Sequence, residues 1–477
     1  MSKPLSKEVI RTRMVQWRND RRLEAQRRER VAILEARCGQ LEQENAELRA
    51  TVQKLLLRIE QLETMVFGRK REQQDHHDDD EGGAAPPSER QPRPRSSFRR
   101  PVPSPAEVTE RTVHPIDQCP DCGWQLRKKE RVTRFIEDIP LPKKTVKEQS
   151  IERGFCPRCR KTHAAIPLSP QLSALGPNVR LYILYAVTVL GQTFGKVRAH
   201  LQDVHDLAIS DGEIAGILDE GHRNLLPARN DIAAKIREAP AAHYDETSYP
   251  VQHGEQGNYA WIKTSSTGPE TLFLLGRTRG KGNAEEIRGP PSNQASVTDD
   301  YGAYDNLFHR QGLCWAHPIR KFRDLARSDV LPMEQKVVCQ TFFDSFSTLE
   351  HDVAIAREAP LTGDERREAK MRFTSRIEDL MTPSVSDPPK LNTLKETFRE
   401  NTDKYLLCVI DPRVPMTNNQ AERRIRQLVI KRLLSFGSRT QKGAQIMETL
   451  LSVLLTLWWS KPKDYFGELR RLMPLQG

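Results

Sequence analysis

No run of apolar residues in this 477-residue chain approaches eighteen, and the opening "MSKPLSKEVIRTRM" has no apolar segment. Neither a spanning helix nor a signal peptide is therefore expected, which points to a soluble, intracellular, cytoplasmic chain. Acid is also short: 75 Lys and Arg stand against 64 Asp and Glu, with a pI of about 9.2. That balance says nothing about fold, but it favours a polyanionic partner, nucleic acid or an anionic membrane surface. The shortage is sharpest between Pro412 and Met447, where eight basic residues (Arg413, Arg423, Arg424, Arg426, Lys431, Arg432, Arg439 and Lys442) accompany one acid, Glu422. An i,i+4 ion pair with Arg426 is the plain explanation of that acid. The sharper one is that Glu422 holds a metal ion where the basic residues hold phosphates.

Cysteine is sparse, eight in all, and half of it falls in two pairs, "CPDCG" (Cys119, Cys122) and "CPRC" (Cys156, Cys159). In a reducing compartment two such knuckles offer four thiolates to one structural Zn²⁺. The residues between them, "RVTRFIEDIPLPKKTVKEQSIERGF", read as strand-forming, so a zinc ribbon is expected. Upstream, a heptad repeat places Leu34, Leu41, Leu48, Leu55 and Leu62 at d, and Val31, Cys38, Asn45, Val52, Ile59 and Val66 at a. β-Branched residues at a, Leu at d and one Asn at a predict a parallel dimeric coiled coil. The arginine-rich 11–30 leads into it as a basic helix. It lacks the Asn and Ala pattern of base-reading zipper helices, leaving phosphate contact or a solvated face. From 68 to 108 the chain is too polar to build a core and reads as a disordered linker.

Residues 171–240 read as helical. A buried helix is expected at "LYILYAVTVL", Ser210 and Glu213 make a capping box, and a helix-turn-helix around "HLQDVHDLAIS" stands level with an ordinary helical connector. The texture changes at Ala241. "AAHYDETSYPV", "NYAWIKTSS" and "TLFLLGRTRG" read as strands, the last two as a hairpin. A helix at "NAEEI" and a fourth strand, "QASVTDD", follow. Residues 318–405 read as helical and charged, "KYLLCVI" as a short strand, and "METLLSVLLTLWW" as an apolar helix closing the core. Asp245 is placed at the end of the first strand, Asp299 (with Asp300 beside it) at the end of the fourth, and Glu422 in the first turns of a helix capped by Thr417, Asn418 or Asn419. Carboxylates so placed would repel unless two Mg²⁺ or Mn²⁺ ions, about 4 Å apart, occupied them and served phosphodiester chemistry.

The ordered set of zipper, CxxC…CxxC, "YDET", "TDDYGAYDNL", "CWAHPIRKF", "NNQAERRIRQLVIKR" and "SFGS" resembles the transposases of insertion-sequence family 66, TnpC type, over nearly the whole chain. The resemblance implies an RNase H-like DDE catalytic domain with a helical insertion between the second Asp and the Glu. Asp245 and Glu422 match the family's first and third acids. The second usually reads Asp-Gly-Tyr; alignment on Tyr301 selects Asp299, with Asp300 where glycine is common. The Cys-x-x-His run of Cys314 and His317 makes His317 a candidate for positioning DNA, and Asn419 a candidate supporting residue. A second zinc on Cys314 and His317 has no further ligands in view.

The expected architecture is multidomain α+β: basic helix and coiled coil (1–67), linker (68–108), zinc ribbon (109–170), helical DNA-binding segment (171–240), catalytic domain first part (241–317), helical insertion (318–405), catalytic domain last part (406–445) and a C-terminal helical segment (446–477). The expected function is cleavage at terminal inverted repeats of a bacterial element and strand transfer into target double-stranded DNA, by a homodimer or larger multimer. The resemblance leaves room for small element-encoded accessory proteins. A non-catalytic DNA-binding regulator, or a transposase relic, is the competing reading.

Overall fold

The computed structural model describes residues 30, 34–49, 51–53, 55–56, 102–118, 120–125, 127, 133–137, 143–148, 150–164, 174–254 and 257–473. The basic helix before Arg30, most of the linker, Cys119, and Val31, Ile59, Leu62 and Val66 of the heptad register lie outside the described residues. The chain divides into two compact units, residues 1–82 with 315–412, and residues 83–314 with 413–477.

The second unit begins with a hairpin of β1 (Arg153–Cys156) and β2 (Lys161–Ala164). The strands expected between the two CxxC pairs are otherwise absent among the described residues, which carry no strand before Arg153. Helices α1 (Pro177–Thr188), α2 (Phe194–His205) and α3 (Asp211–Glu238) follow. Pro177 opens α1, where its missing N–H costs nothing. Ser210 and Glu213 form the capping box that starts α3. The two candidate helix-turn-helix elements are α2 and the 28-residue α3, and Ile214, Ile217 and Leu218 of α3 enter the core. Gly221 permits the close approach of α3 to α1, since a Cβ there would meet Leu184 Cδ2 at 2.7 Å.

The chain then forms a five-stranded sheet from β3 (Ala241–Ser248), β5 (Tyr259–Ser265), β6 (Thr271–Arg277), β7 (Ala295–Thr298) and β8 (Gln311–Leu313). The order is β6-β5-β3-β7-β8. The β6–β5 and β5–β3 pairs are antiparallel, β3–β7 and β7–β8 parallel. Helix α4 (Lys281–Arg288) connects β6 to β7. Four of these strands match expectation. The three-residue β8 was too short to leave a periodic signal. A separate parallel pair joins β4 (Val251–His253) to β9 (Ser438–Thr440).

β5 and β6 are buried along nearly their whole length, β6 through its apolar Leu272–Leu275 run and β5 with Lys263, Thr264 and Ser265 buried beside Ala260, Trp261 and Ile262. β6 lies at the sheet edge, and its outward N–H groups need partners. Helix α12 (Gln441–Trp459) supplies them. The N–H groups of Thr271, Phe273 and Leu275 donate to Thr456 Oγ1 at 3.1 Å, Ser452 Oγ at 3.0 Å and Glu448 Oε1 at 3.0 Å. Four helical residues advance about 6 Å and two strand residues about 6.7 Å, so one polar side chain per turn meets each alternate N–H. The remaining face of α12, with Leu450, Leu451 and Leu454, fills the core as expected.

Helices α5 (Ala316–Arg327), α6 (Met333–Glu358), α7 (Gly363–Met381) and α8 (Pro389–Glu400) make up the described part of the inserted unit after residue 315. Two short turns, α9 (Thr402–Tyr405) and α10 (Leu407–Ile410), complete it. Its core is aromatic: Trp315, Phe322, Phe342, Phe346, Phe398 and Tyr405. The strand expected at "KYLLCVI" is helical instead. Cys408 and Val409 are buried in a unit whose described residues carry no strand. Arg366 on α7 accepts the role of cap by donating to Val409 O at 3.0 Å.

Helix α11 (Asn419–Ser435) returns the chain to the sheet, and α13 (Tyr465–Leu472) ends it.

Candidate active site

The β3–β7 register pairs Ala241 with Ala295, Ala242 with Ser296 and His243 with Val297. Continued two residues past the paired ones, the register points from Asp245 to Asp299, the first residue after β7. The β7–β8 register pairs Thr298 with Leu313, so Asp299 is followed across by Cys314. Asp245 does not end its strand as expected: β3 runs to Ser248, because antiparallel β5 continues the pairing from Asp245↔Ile262 to Ser248↔Tyr259. Asp245 lies where the parallel partner stops.

Side chains alternate along β3. The face of His243, Asp245 and Thr247 is turned to α11, shown by His243 Nδ1 at 3.1 Å from Asn418 Oδ1 and by Arg432 donating to Thr247 Oγ1 at 3.2 Å. Of the three candidate caps Asn418 takes the N-cap position, but its side chain makes no capping bond. It is a bolt. Its Nδ2 donates to Tyr244 O at 2.7 Å and its backbone N–H donates to Cys314 Sγ at 3.0 Å. Gln420 secures the same turn from the other side, donating to Ser265 O at 2.6 Å and Gly268 O at 3.2 Å. The helix N-terminus that carries Glu422 is therefore fixed to three strands of the sheet. Asn419 itself is exposed.

Asp245 reports the company it keeps. Burial, then the negative charges of Glu246 and Asp299, and more weakly that of Glu422, push its carboxyl well above the usual range. The N–H of Glu246, donated to Asp245 Oδ1 at 2.9 Å, works the other way. Asp300, beside Asp299, is exposed. Burial holds His243 down to about 4, against the Asn418 bond, so at neutral pH it brings no positive charge to the acids. Its Nε2 is buried without a hydrogen bond among the described residues. An acid raised by other acids, beside a neutral imidazole, is a donor set of hard oxygens suited to a divalent cation.

Sequence reasoning missed Glu246. On the opposite face of β3 it accepts from Arg279 Nη2 at 2.8 Å and from Tyr304 Oη at 2.8 Å. The Arg279 guanidinium lies 3.9 Å from the Tyr301 ring centre, and Tyr301 Oη donates to Arg279 O at 2.8 Å. The tyrosines of "TDDYGAYDNL" are thus braces for the acid next to Asp245. The signal was the Glu adjacent to an assigned Asp, which alternation alone would send to the other face.

The basic residues around Glu422 separate into two groups. Lys431 was expected to grip phosphate. It is instead 5% exposed and donates to Val187 O at 2.9 Å, tying α11 to α1. Arg424 is half-buried over the Trp459 ring at 4.1 Å, its guanidinium pulled down to about 10 chiefly by burial. Arg432 binds Ser248 Oγ at 2.6 Å as well as Thr247. Lys442 is exposed and 3.0 Å from Asp219. Arg423, Arg426 and Arg439 are exposed. His317 belongs to the inserted unit, half-buried in the first turn of α5.

At the second cysteine pair, Cys156 ends β1 and Cys159 lies in the turn to β2. Backbone N–H groups of Cys159 and Arg158 lower the Cys156 thiol, favouring thiolate. His163 Nε2 is 3.3 Å from Cys159 Sγ. Cys122 is exposed in a turn ending at Gly123, φ 74°. In the zipper segment, Leu34, Leu41, Leu48, Val52 and Leu55 are all exposed in the single chain, as are Cys38 and Asn45.

An α+β unit with a mixed sheet and many helices is compatible with the catalytic domain of a transposase. Residues 173–446, more than half of the chain, match the family described as Transposase IS66 family, and the chain belongs to that family. It is also similar to the uncharacterized protein y4hP of Sinorhizobium fredii, 22% identical over 391 residues covering 75% of this chain and 70% of that protein. Among the described residues no helix is long and apolar enough to cross a membrane.

Proposed function

We propose that the chain is a DDE transposase that cuts DNA at the ends of its element and joins the freed 3′ ends to target DNA, with Asp245, Asp299 and Glu422 as the catalytic acids. The observation that carries this is the influence of both Asp299 and Glu422 on the Asp245 carboxyl, in line with the β3–β7 register that runs toward Asp245 and Asp299. The sheet order, three antiparallel strands followed by two parallel to the first, supports the RNase H-like reading. Asp299 rather than Asp300 is the second acid on the same grounds.

The three carboxylates would hold Mg²⁺ or Mn²⁺, two ions in the full reading. Bound there, such ions supply activation of a water or 3′-hydroxyl and stabilisation of the leaving oxygen. The chain's own part is positional. Asn418 and Gln420 fix the helix that brings Glu422 to the strands. Arg279 and Tyr304 hold Glu246 aside, so that it adds charge without leaving its face. Neutral His243 packs beneath without quenching the acids. Arg423, Arg426 and Arg439 are exposed to bind backbone phosphates, and His317 is a further DNA contact. Cys119, Cys122, Cys156 and Cys159 form a structural zinc site, supported by the thiolate-favouring turn at Cys156. The exposed heptad leucines pair two copies of the chain, with Asn45 fixing register. Such a protein works in the cytoplasm, at the nucleoid.

The test is cleavage of a labelled duplex carrying the element's end, in Mg²⁺ or Mn²⁺, by wild type and Glu422→Gln. Metal-dependent cutting that the variant loses while still binding the duplex is expected. Equal cutting by both would remove Glu422 from the site. Binding without cutting by wild type would favour a regulator or relic.

A further inference from the structure

Helix α11 presents one exposed stripe: Asn419, Arg423, Arg426, Ile430 and Leu433, at intervals of three and four residues, with Leu434 beside the last. The stripe is basic where it leaves Glu422 and apolar where it ends. Just beyond stands Phe436, 75% exposed.

The position of Phe436 is fixed. It terminates the helix in the left-handed region, φ 55° and ψ 25°, its N–H donating to Arg432 O at 2.8 Å. Glycine is the usual residue there, and a bulky side chain at positive φ is an outlier. The next residue enforces the turn: a Cβ on Gly437, φ 93°, would lie 2.1 Å from Pro250 O. Ser438 N–H donates to that same oxygen at 3.0 Å, Ser438 Oγ lies 3.0 Å from Tyr249 Oη, and β9 pairs with β4. A strained backbone on a locked turn thus holds an aromatic ring in solvent. Packing gives no reason for it, and strain of this kind gathers where a ligand is met.

We propose that Phe436 stacks on a nucleobase drawn out of the helix of the bound DNA, while Arg423, Arg426 and Arg439 hold the flanking phosphates. This rests on the DNA-cutting reading above and adds a contact to it. The chemistry matches the stripe: cations for the backbone, then an apolar end and a ring for a base face. From Glu422 to Ser435 the helix advances about 20 Å. At about 3.4 Å per nucleotide along a strand, the displaced base lies about six steps from the phosphate at Glu422.

The experiment uses the full chain and duplexes spanning the element's end, with 2-aminopurine placed at each position in turn. Wild type is expected to brighten one position, Phe436→Tyr to keep the signal, and Phe436→Gly to lose it with about 10-fold weaker binding. Phe436→Gly should also unfold at a higher temperature, since glycine takes the left-handed conformation freely, so its loss of binding cannot be blamed on misfolding. Binding by wild type with no position brightened would overturn the proposal, as would equal affinity of Phe436→Gly. Loss of self-association with DNA binding intact would overturn it too, making the patch a protein interface. If wild type binds no duplex, the DNA-cutting reading fails and this inference falls with it.

Discussion

Glu448, buried, and Asp245, partly buried, are acids of the same unit, and their surroundings are opposite. Glu448 accepts the N–H of Leu275 at 3.0 Å and lies 3.3 Å from Arg277, so burial pushes its carboxyl up while a backbone bond and a guanidinium pull it back. Asp245 is raised by burial and again by Glu246, Asp299 and Glu422. The first arrangement closes a sheet edge and is complete as it stands. On the reading proposed above, a divalent cation completes the second. An acid among donors serves structure, and an acid among acids is a candidate binding site.

The comparison can be broken most sharply at the acids. Asp245→Asn and Glu422→Gln should each reduce metal-dependent strand cleavage by more than the ~10- to 100-fold that losing a ligand's supporting partner costs. A gel assay of duplex cleavage checks this, and activity within a few-fold of wild type would contradict it. Next comes the bolt. Asn418→Ala leaves Tyr244 O and His243 Nδ1 without their shared partner, and should slow cleavage ~10- to 100-fold with DNA affinity unchanged, read from single-turnover rates and anisotropy on the same preparation. At the structural acid the effect should be on stability alone. Glu448→Leu orphans the Leu275 N–H and should cost about 1–3 kcal/mol in denaturant unfolding, whereas Glu448→Gln keeps the acceptor and should cost less.

What was legible in the sequence follows the same division. Asp245, Asp299 and Glu422 were singled out by motif order, a local signal, and the structure adds the influence of Asp299 and Glu422 on the Asp245 carboxyl. For Asn418 the sequence left capping as the default, with orientation of Glu422 or contact with phosphate as alternatives. A polar residue before a helix reads as a cap, and only the sheet beneath it turns the amide toward Tyr244 and His243. Lys431 read as one more cation among eight, since nothing local separates an exposed lysine from one whose ammonium reaches Val187 O. The short β8 and the helical "KYLLCVI" were lost for a related reason: three residues leave no periodicity, and an apolar run takes the conformation its unit offers.

Lys431 gives the smallest effect and a sign that can be checked. Burial lowers it from 10.5 to about 8. The unfolded chain therefore holds more protons across that window, so stability rises with pH from about 8 to 10.5. Lys431→Met should remove this rise and stabilise at neutral pH by about 1 kcal/mol, or about 2–4 °C for a unit of this size. Thermal scans of both proteins at several pH values would show it.

The most direct test of the central claim is thermal unfolding of wild type and Asp245→Asn, each with and without Mn²⁺. If the acids around Asp245 form a cation site, the metal-free variant unfolds at a higher temperature than metal-free wild type, and only wild type gains stability when Mn²⁺ is added. A variant no more stable than wild type, and stabilised by Mn²⁺ to the same degree, would contradict it.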